Sequence, residues 1–83
     1  MAEQRVGVVR GYFARVSVAG IDLEGTLCVG DSIHVKGHTT DLELVVESMQ
    51  IEHEQVAEAK AGDAIGVKVQ DRCRDGDLVY KVT

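Results

Sequence analysis

Residues Ser48–Asp63 read SMQIEHEQVAEAKAGD. The second half is rich in Glu, Gln, Ala and Lys and has no Pro, a composition that suits a helix. The first half carries apolar residues in the alternation of a strand. Met49 and Ile51 share a face with Val45, but Glu47 interrupts it, while Leu42, Leu44 and Val46 occupy the opposite parity. A β-bulge near Glu47–Ser48 is therefore expected, because one extra residue lets Val46 and Met49 both point inward. SMQIEH continues the strand. QVAEAKAGD is expected to leave it through one helical turn ended by Gly62, with Val56 and Ala59 covering the end of the fold. A full helix is not expected, since roughly six or seven residues cannot hold one without extensive packing.

The rest of the chain is cut into short apolar pieces by turn signals at Gly11, Gly20, Gly25, Gly30-Asp31, Gly37, Gly62-Asp63 and Asp75-Gly76-Asp77. VGVVRGYF, ARVSVAGIDL, SIHVKGH, DLELVVESMQIEH, IGVKVQ and LVYKV read as strands between them. Aromatics are few and valine is abundant, so the core draws on β-branched and aliphatic side chains that favour strands. Closely spaced strands without a long helix predict an all-β fold, a small closed six-stranded antiparallel barrel. Closure removes the exposed edges that a valine-rich sheet would otherwise present. With 83 residues, one domain over residues 1–83 is expected. It hides roughly 60–65% of its unfolded surface.

Nine basic and 14 acidic residues give a net charge of −5, which argues against nonspecific nucleic-acid binding. Cys28 and Cys73 form no C-x-x-C motif, and the start of the chain lacks a signal-peptide apolar segment. No run approaches the roughly 20 apolar residues of a membrane span. A soluble cytoplasmic protein is expected, with both cysteines as small buried hydrophobes.

GTLCVGDSIHVKG followed by VESMQIEHEQVAEAKAGDAIGVKV resembles the second, β-barrel domain of translational GTPases of the elongation factor Tu and initiation factor type. The matching positions are Gly25, Leu27, Gly30 and Asp31; Val46, Ser48, Met49, Gln50, Ile51 and His53; Val56, Ala59, Gly62 and Asp63; and Ile65 and Gly66. The resemblance covers nearly the whole chain and is nearest to free-standing translation-elongation-factor-like proteins. It implies a Greek-key barrel that contacts a larger protein or a ribonucleoprotein, in a translation-related role. Ala64 stands where aminoacyl-tRNA carriers commonly have Asn. Glycines at these turns reach backbone conformations costly to other residues, and the aspartates after them bind backbone N–H groups. Most of the pattern therefore describes a fold.

No Lys is followed by Ser or Thr, so the phosphate-binding loop needed for GTP is missing. His34 and His38 share a predicted strand face but lie roughly 13 Å apart, too far for one zinc. No metal or cofactor is expected, and both histidines read as exposed polar positions. Asp41, Glu43, Glu47, Glu52, Glu54 and Glu58 read as a solvated acidic face, with a surface for a basic partner as the alternative. No nucleophile–base arrangement has the right spacing, so no enzyme activity is expected. Arg5, Arg10 and Arg15 beside Tyr12 and Phe13 are the best candidates for contacting RNA or a partner, together with His53. Lys68, Arg72 and Arg74 form a second, diluted cluster. The leading expectation is a non-catalytic binding module. The alternatives are a direct RNA or tRNA binder, or an accessory subunit of an enzyme such as a collagenase-like peptidase-family protein.

Overall fold

The computed structural model describes residues 3–82. Ten strands occur: β1 (Glu3–Phe13), β2 (Val18–Leu23), β3 (Leu27–Cys28), β4 (Ser32–Lys36), β5 (Asp41–Val45), β6 (Met49–Ile51), β7 (Glu54–Val56), β8 (Glu58–Ala59), β9 (Ala64–Lys68) and β10 (Leu78–Val82). No helix is present among the described residues, and so none that could cross a membrane. The all-β antiparallel expectation is met. Eight strands pair in the order β5-β4-β10-β1-β2-β9-β6-β7, and β3 pairs with β8 separately. Among the described residues no ladder joins β5 to β7, so the closed six-stranded barrel of the sequence reading is not what the ladders describe.

The stretch quoted above resolves differently from the sequence reading. The chain breaks at residues 46–48: β5 pairs with β4, whereas β6 pairs with β9 and β7. A change of partner strand, rather than a bulge within one strand, brings Val46 and Met49 into the core together, both fully buried. The expected helical turn is absent. The segment instead folds back as a hairpin, with Met49 opposite Val56, Gln50 opposite Gln55 and Ile51 opposite Glu54. Pairing with β6 outweighs the helical propensity of these residues, which is only a few tenths of a kcal/mol per residue.

The Gly-Asp corners share one construction. In the turns Cys28–Asp31, Lys60–Asp63 and Arg74–Asp77, the first residue's backbone N–H donates to the aspartate carboxylate, and the aspartate N–H donates back to that residue's carbonyl. The glycines have φ of 96°, 93° and 94°. That is the left-handed region required at the third position of a type II turn. Each corner is then tied to one buried residue: Val46 to the first, Leu23 to the second and Val9 to the third. In each case the glycine N–H donates to that residue's carbonyl, and that residue's N–H donates to the aspartate carbonyl.

The core contains Val6, Val9, Ile21, Leu27, Ile33, Val35, Met49, Val67 and Val79, each at most 2% exposed. Burial of side chains of this size stabilises by about 1.5–3 kcal/mol apiece. Ile51 and Val56 pack against its edge.

Candidate functional site

The outer face of the sheet carries a trough at a single register level. Gly11 lies opposite Gly20, Gly20 opposite Gly66, Gly66 opposite Gln50, and Gln50 opposite Gln55. Strand alternation turns the neighbours Ala19, Ile21, Ile65 and Val67 into the core. The outward positions of β2 and β9 at this level therefore carry no side chain, and bare backbone forms the floor.

Two connections build the walls. Residues 14–17 join β1 to β2, and the hairpin tip leaves Phe13 60% and Val16 58% exposed. These are large apolar side chains held in water, the kind of surface that marks an interaction site when contiguous. Opposite them, Glu52 and His53 connect β6 to β7 with φ of 51° and 69°. Two positive φ angles in a two-residue hairpin loop are the signature of a type I′ turn. Phe13, Val16, Val18, Gln50, Glu52, His53, Ala64 and Gly66 enclose a groove of about 510 Å³. A second hollow of about 300 Å³ adjoins it, lined by Ser48, Gln55 and Lys68 as well as Val16, Val18, Gln50 and Gly66. The assembled trough is apolar on one side, with the Gln50 and Gln55 amides and the Lys68 ammonium at its end and the Glu52 carboxylate and His53 imidazole at the far wall. It suits an extended, mostly apolar segment with polar backbone groups.

The predicted contact residues divide. His53 lies in this trough. Arg15 is exposed at the hairpin tip beside it. Arg5 Nε sits 3.1 Å from Glu24 Oε1, and Arg10 Nε sits 2.8 Å from Asp22 Oδ2. Both guanidiniums therefore face carboxylates of this chain. Tyr12 is half-buried against the core. The motif residues have structural duties: Gly30, Asp31, Gly62 and Asp63 make the corners, Met49 and Ala59 are buried, and Ile51 and Val56 pack at the core's edge. Gly25 sits beside Val6, Ser48 is half-buried, and Gly66 is part of the trough floor. The trough's glycine row was not legible in the sequence, because it depends on the register of four strands. Gly20 between Ala19 and Ile21, and Gly66 between Ile65 and Val67, are the local signal.

The acidic run does not form one face. Asp41 and Glu43 face His34, Glu58 receives the Cys28 thiol at 3.6 Å, and Glu52 belongs to the trough. His38 is exposed as expected, but His34 is only 9% exposed. Carboxylates from two other strands enclose His34, which corrects its reading as a solvent-facing position. Among the described residues no group of three or more His, Cys, Asp or Glu side chains converges as metal ligands. Cys73 is buried, and burial pushes its thiol up to about 11. Cys28 is half-buried. Partial desolvation, followed by the nearby Glu58 and Asp31 carboxylates, raises its thiol above the ordinary value.

No family model matches the chain. It is 46% identical over 76 residues to an uncharacterized protease of Methanocaldococcus jannaschii, covering 90% of this chain and 19% of that protein. It is 34% identical over 82 residues to a collagenase of Porphyromonas gingivalis, covering 94% of this chain and 20% of that protein. The chain thus spans about a fifth of the length of the curated relatives it matches. Among solved structures it superposes on the C-terminal domain of a Geobacillus thermoleovorans putative U32 peptidase. The TM-score is 0.89 at 18% identity, over 94% of this chain and 99% of that one. These findings overturn the resemblance to translational GTPases and the translation-related role inferred from it. The physical reason lies in the motif, whose glycines, aspartates and apolar residues specify corners and core and carry no ligand chemistry of their own.

Proposed function

We propose that this chain is a non-catalytic accessory module of the U32 peptidase type, which docks on a larger peptidase polypeptide through the Phe13–His53 trough. The observation that carries this reading is the superposition on an isolated C-terminal domain across nearly the full length of both chains. The protease and collagenase names of the curated relatives support it, as does the small share of those proteins that this chain matches. The thiols argue for a non-catalytic role. A nucleophilic cysteine needs a lowered pKa, whereas the surroundings of Cys28 and Cys73 act in the opposite direction. The trough supplies apolar walls for anchoring and exposed amides at Gln50 and Gln55 for a partner's backbone.

The test places a photo-crosslinking amino acid at position 13 in the full-length chain and irradiates living cells. Crosslinked peptides from a U32-type peptidase polypeptide, lost in Val16→Glu, are the expected result. Crosslinks confined to ribosomal proteins, or a Val16→Glu variant that crosslinks equally well, overturn the reading. Gelatin left intact by the purified chain is expected as well, and cleavage that disappears in Cys28→Ala or Cys73→Ala would point to an intrinsic activity instead.

A further inference from the structure

We propose that His34, Glu3 and Asp41 form a proton-operated clasp, which fastens the edge strand β5 to the sheet when the imidazole carries two protons and loosens it when one is lost. The ring of His34 sits on β4 between two carboxylates. Nδ1 lies 2.7 Å from Glu3 Oε2, Nε2 contacts Asp41 Oδ1, and Glu43 Oε1 is 3.8 Å from Nδ1. An ionised carboxylate only accepts hydrogen bonds, and a neutral imidazole donates from one nitrogen alone. The doubly engaged ring is therefore satisfied only as imidazolium. Loss of a proton turns one ring lone pair toward a carboxylate oxygen.

The groups facing His34 come from every strand packed about it. Glu3 projects from β1, Lys36 from β4 itself, Tyr80 from β10, and Asp41 and Glu43 from β5. Lys36 Nζ lies 2.6 Å from Glu3 Oε1 and 5.2 Å from the centre of the Tyr80 ring. Lys36 thus holds Glu3 in place at any pH near neutrality and leaves Asp41 as the partner released by deprotonation. The surplus is three carboxylates against one fixed cation, so the imidazolium has a favourable field. The hydrogen bonds from Asp41 and then Glu3 raise its pKa above the ordinary histidine value.

The location gives the clasp its consequence. Among the described residues β5 pairs with one neighbour, β4, and no strand pairs with its other side. Its residues Asp41, Glu43 and Val45 are exposed. An edge strand held by a single ladder is the least constrained part of a sheet, and its backbone groups are open to pairing with another chain. The sign follows from linkage. The folded His34 pKa is raised, so its contribution is complete below about pH 6.5 and is lost as pH rises through the folded value. Glu3 is lowered by its bonds to Lys36 and then His34, so its contribution stands above the ordinary carboxylate range and is lost in acid. The clasp is thus closed from mildly acidic pH to the folded midpoint of His34, and open beyond it.

Amide hydrogen exchange of the full chain between pH 5.5 and 9, corrected for intrinsic rates, tests this together with the NMR titration of the His34 ring. Protection of residues 41–45 is expected to fall by about tenfold for each pH unit separating the folded midpoint from the ordinary histidine value. The change should follow the His34 titration while β1 and β2 keep their protection. His34→Gln is expected to remove the pH dependence. Glu3→Gln, which removes the charge and keeps the shape of the side chain, is expected to move the His34 midpoint downward and the β5 transition with it. Protection of β5 that is flat across the His34 titration overturns the clasp, as does an unchanged transition in both variants.

Discussion

The Asp77 carboxylate occupies the space that a side chain on Gly37 would need. A Cβ built on Gly37 falls against Oδ1 and Cγ of Asp77, well inside van der Waals contact. Asp77 is 5% exposed, and its other oxygen accepts the Arg74 N–H at 2.8 Å. It cannot swing away without opening the third Gly-Asp corner, and that corner is bonded through its backbone to Val9 in the core. Gly37→Ala is therefore expected to destabilise the chain by roughly 1–3 kcal/mol, the range for overpacking, with further loss if the corner opens. Urea denaturation measures this directly. A midpoint equal to that of the parent chain would show that Asp77 yields freely.

At the second corner, Gly62 has φ of 93° and nothing near its Cβ direction. The restriction is conformational and not steric crowding by neighbours. Gly62→Val is expected to lose about 1–2 kcal/mol, while Gly62→Asn loses less because Asn tolerates positive φ better. Equal thermal midpoints for Val and Asn would contradict this ordering.

How much was legible from the sequence varied with the range of the interaction that decides each feature. The Gly-Asp corners are local, and Gly30, Gly62 and Gly76 were readable as turn glycines with their aspartates as N–H acceptors. The joint burial of Val46 and Met49 was readable from the parity conflict around Glu47, but the change of partner strand that resolves it was not. The hairpin at Glu52–His53 was missed because it lacks the Asn-Gly or Asp-Gly pair that usually announces a type I′ turn. The burial of His34 was missed because its partners lie 31 and 7 residues away along the chain, and only the strand register brings Glu3 and Asp41 to the ring. The trough has the same origin. Family attribution failed for a related reason: the matched residues are those that any chain with these corners and this core would share.

The two thiols should react unequally. Cys73 is 1% exposed and its pKa is about 11, so almost no thiolate exists at pH 8. Cys28 is half-buried, and desolvation with neighbouring carboxylates raises its pKa as well. Iodoacetamide at pH 8 is expected to modify Cys28 first, more slowly than a free thiol, and to reach Cys73 only when the chain unfolds. Intact-mass spectrometry over the time course checks this. Two additions at the same rate in native buffer would mean that the Cys73 region opens readily.

The β6–β7 turn places two ordinary L-residues in left-handed conformations, Glu52 at φ 51° and His53 at φ 69°. Each such residue carries roughly 1–2 kcal/mol of backbone strain relative to glycine. Local strain retained where a better turn sequence exists tends to coincide with functional positions, and both side chains line the trough. Replacing the pair by Asn-Gly should keep the hairpin register, since Ile51 and Glu54 remain opposite each other. Relief at the glycine alone is expected to stabilise by about 1 kcal/mol, which raises the melting temperature by about 4–8 °C in a domain of this size. If the trough is the docking site, the same variant should crosslink to its partner less efficiently even though it is more stable. Rising stability with falling contact would separate the turn's binding role from its folding role. A variant that gains stability and keeps full crosslinking would remove Glu52 and His53 from the contact surface and leave the Phe13–Val16 wall to carry it.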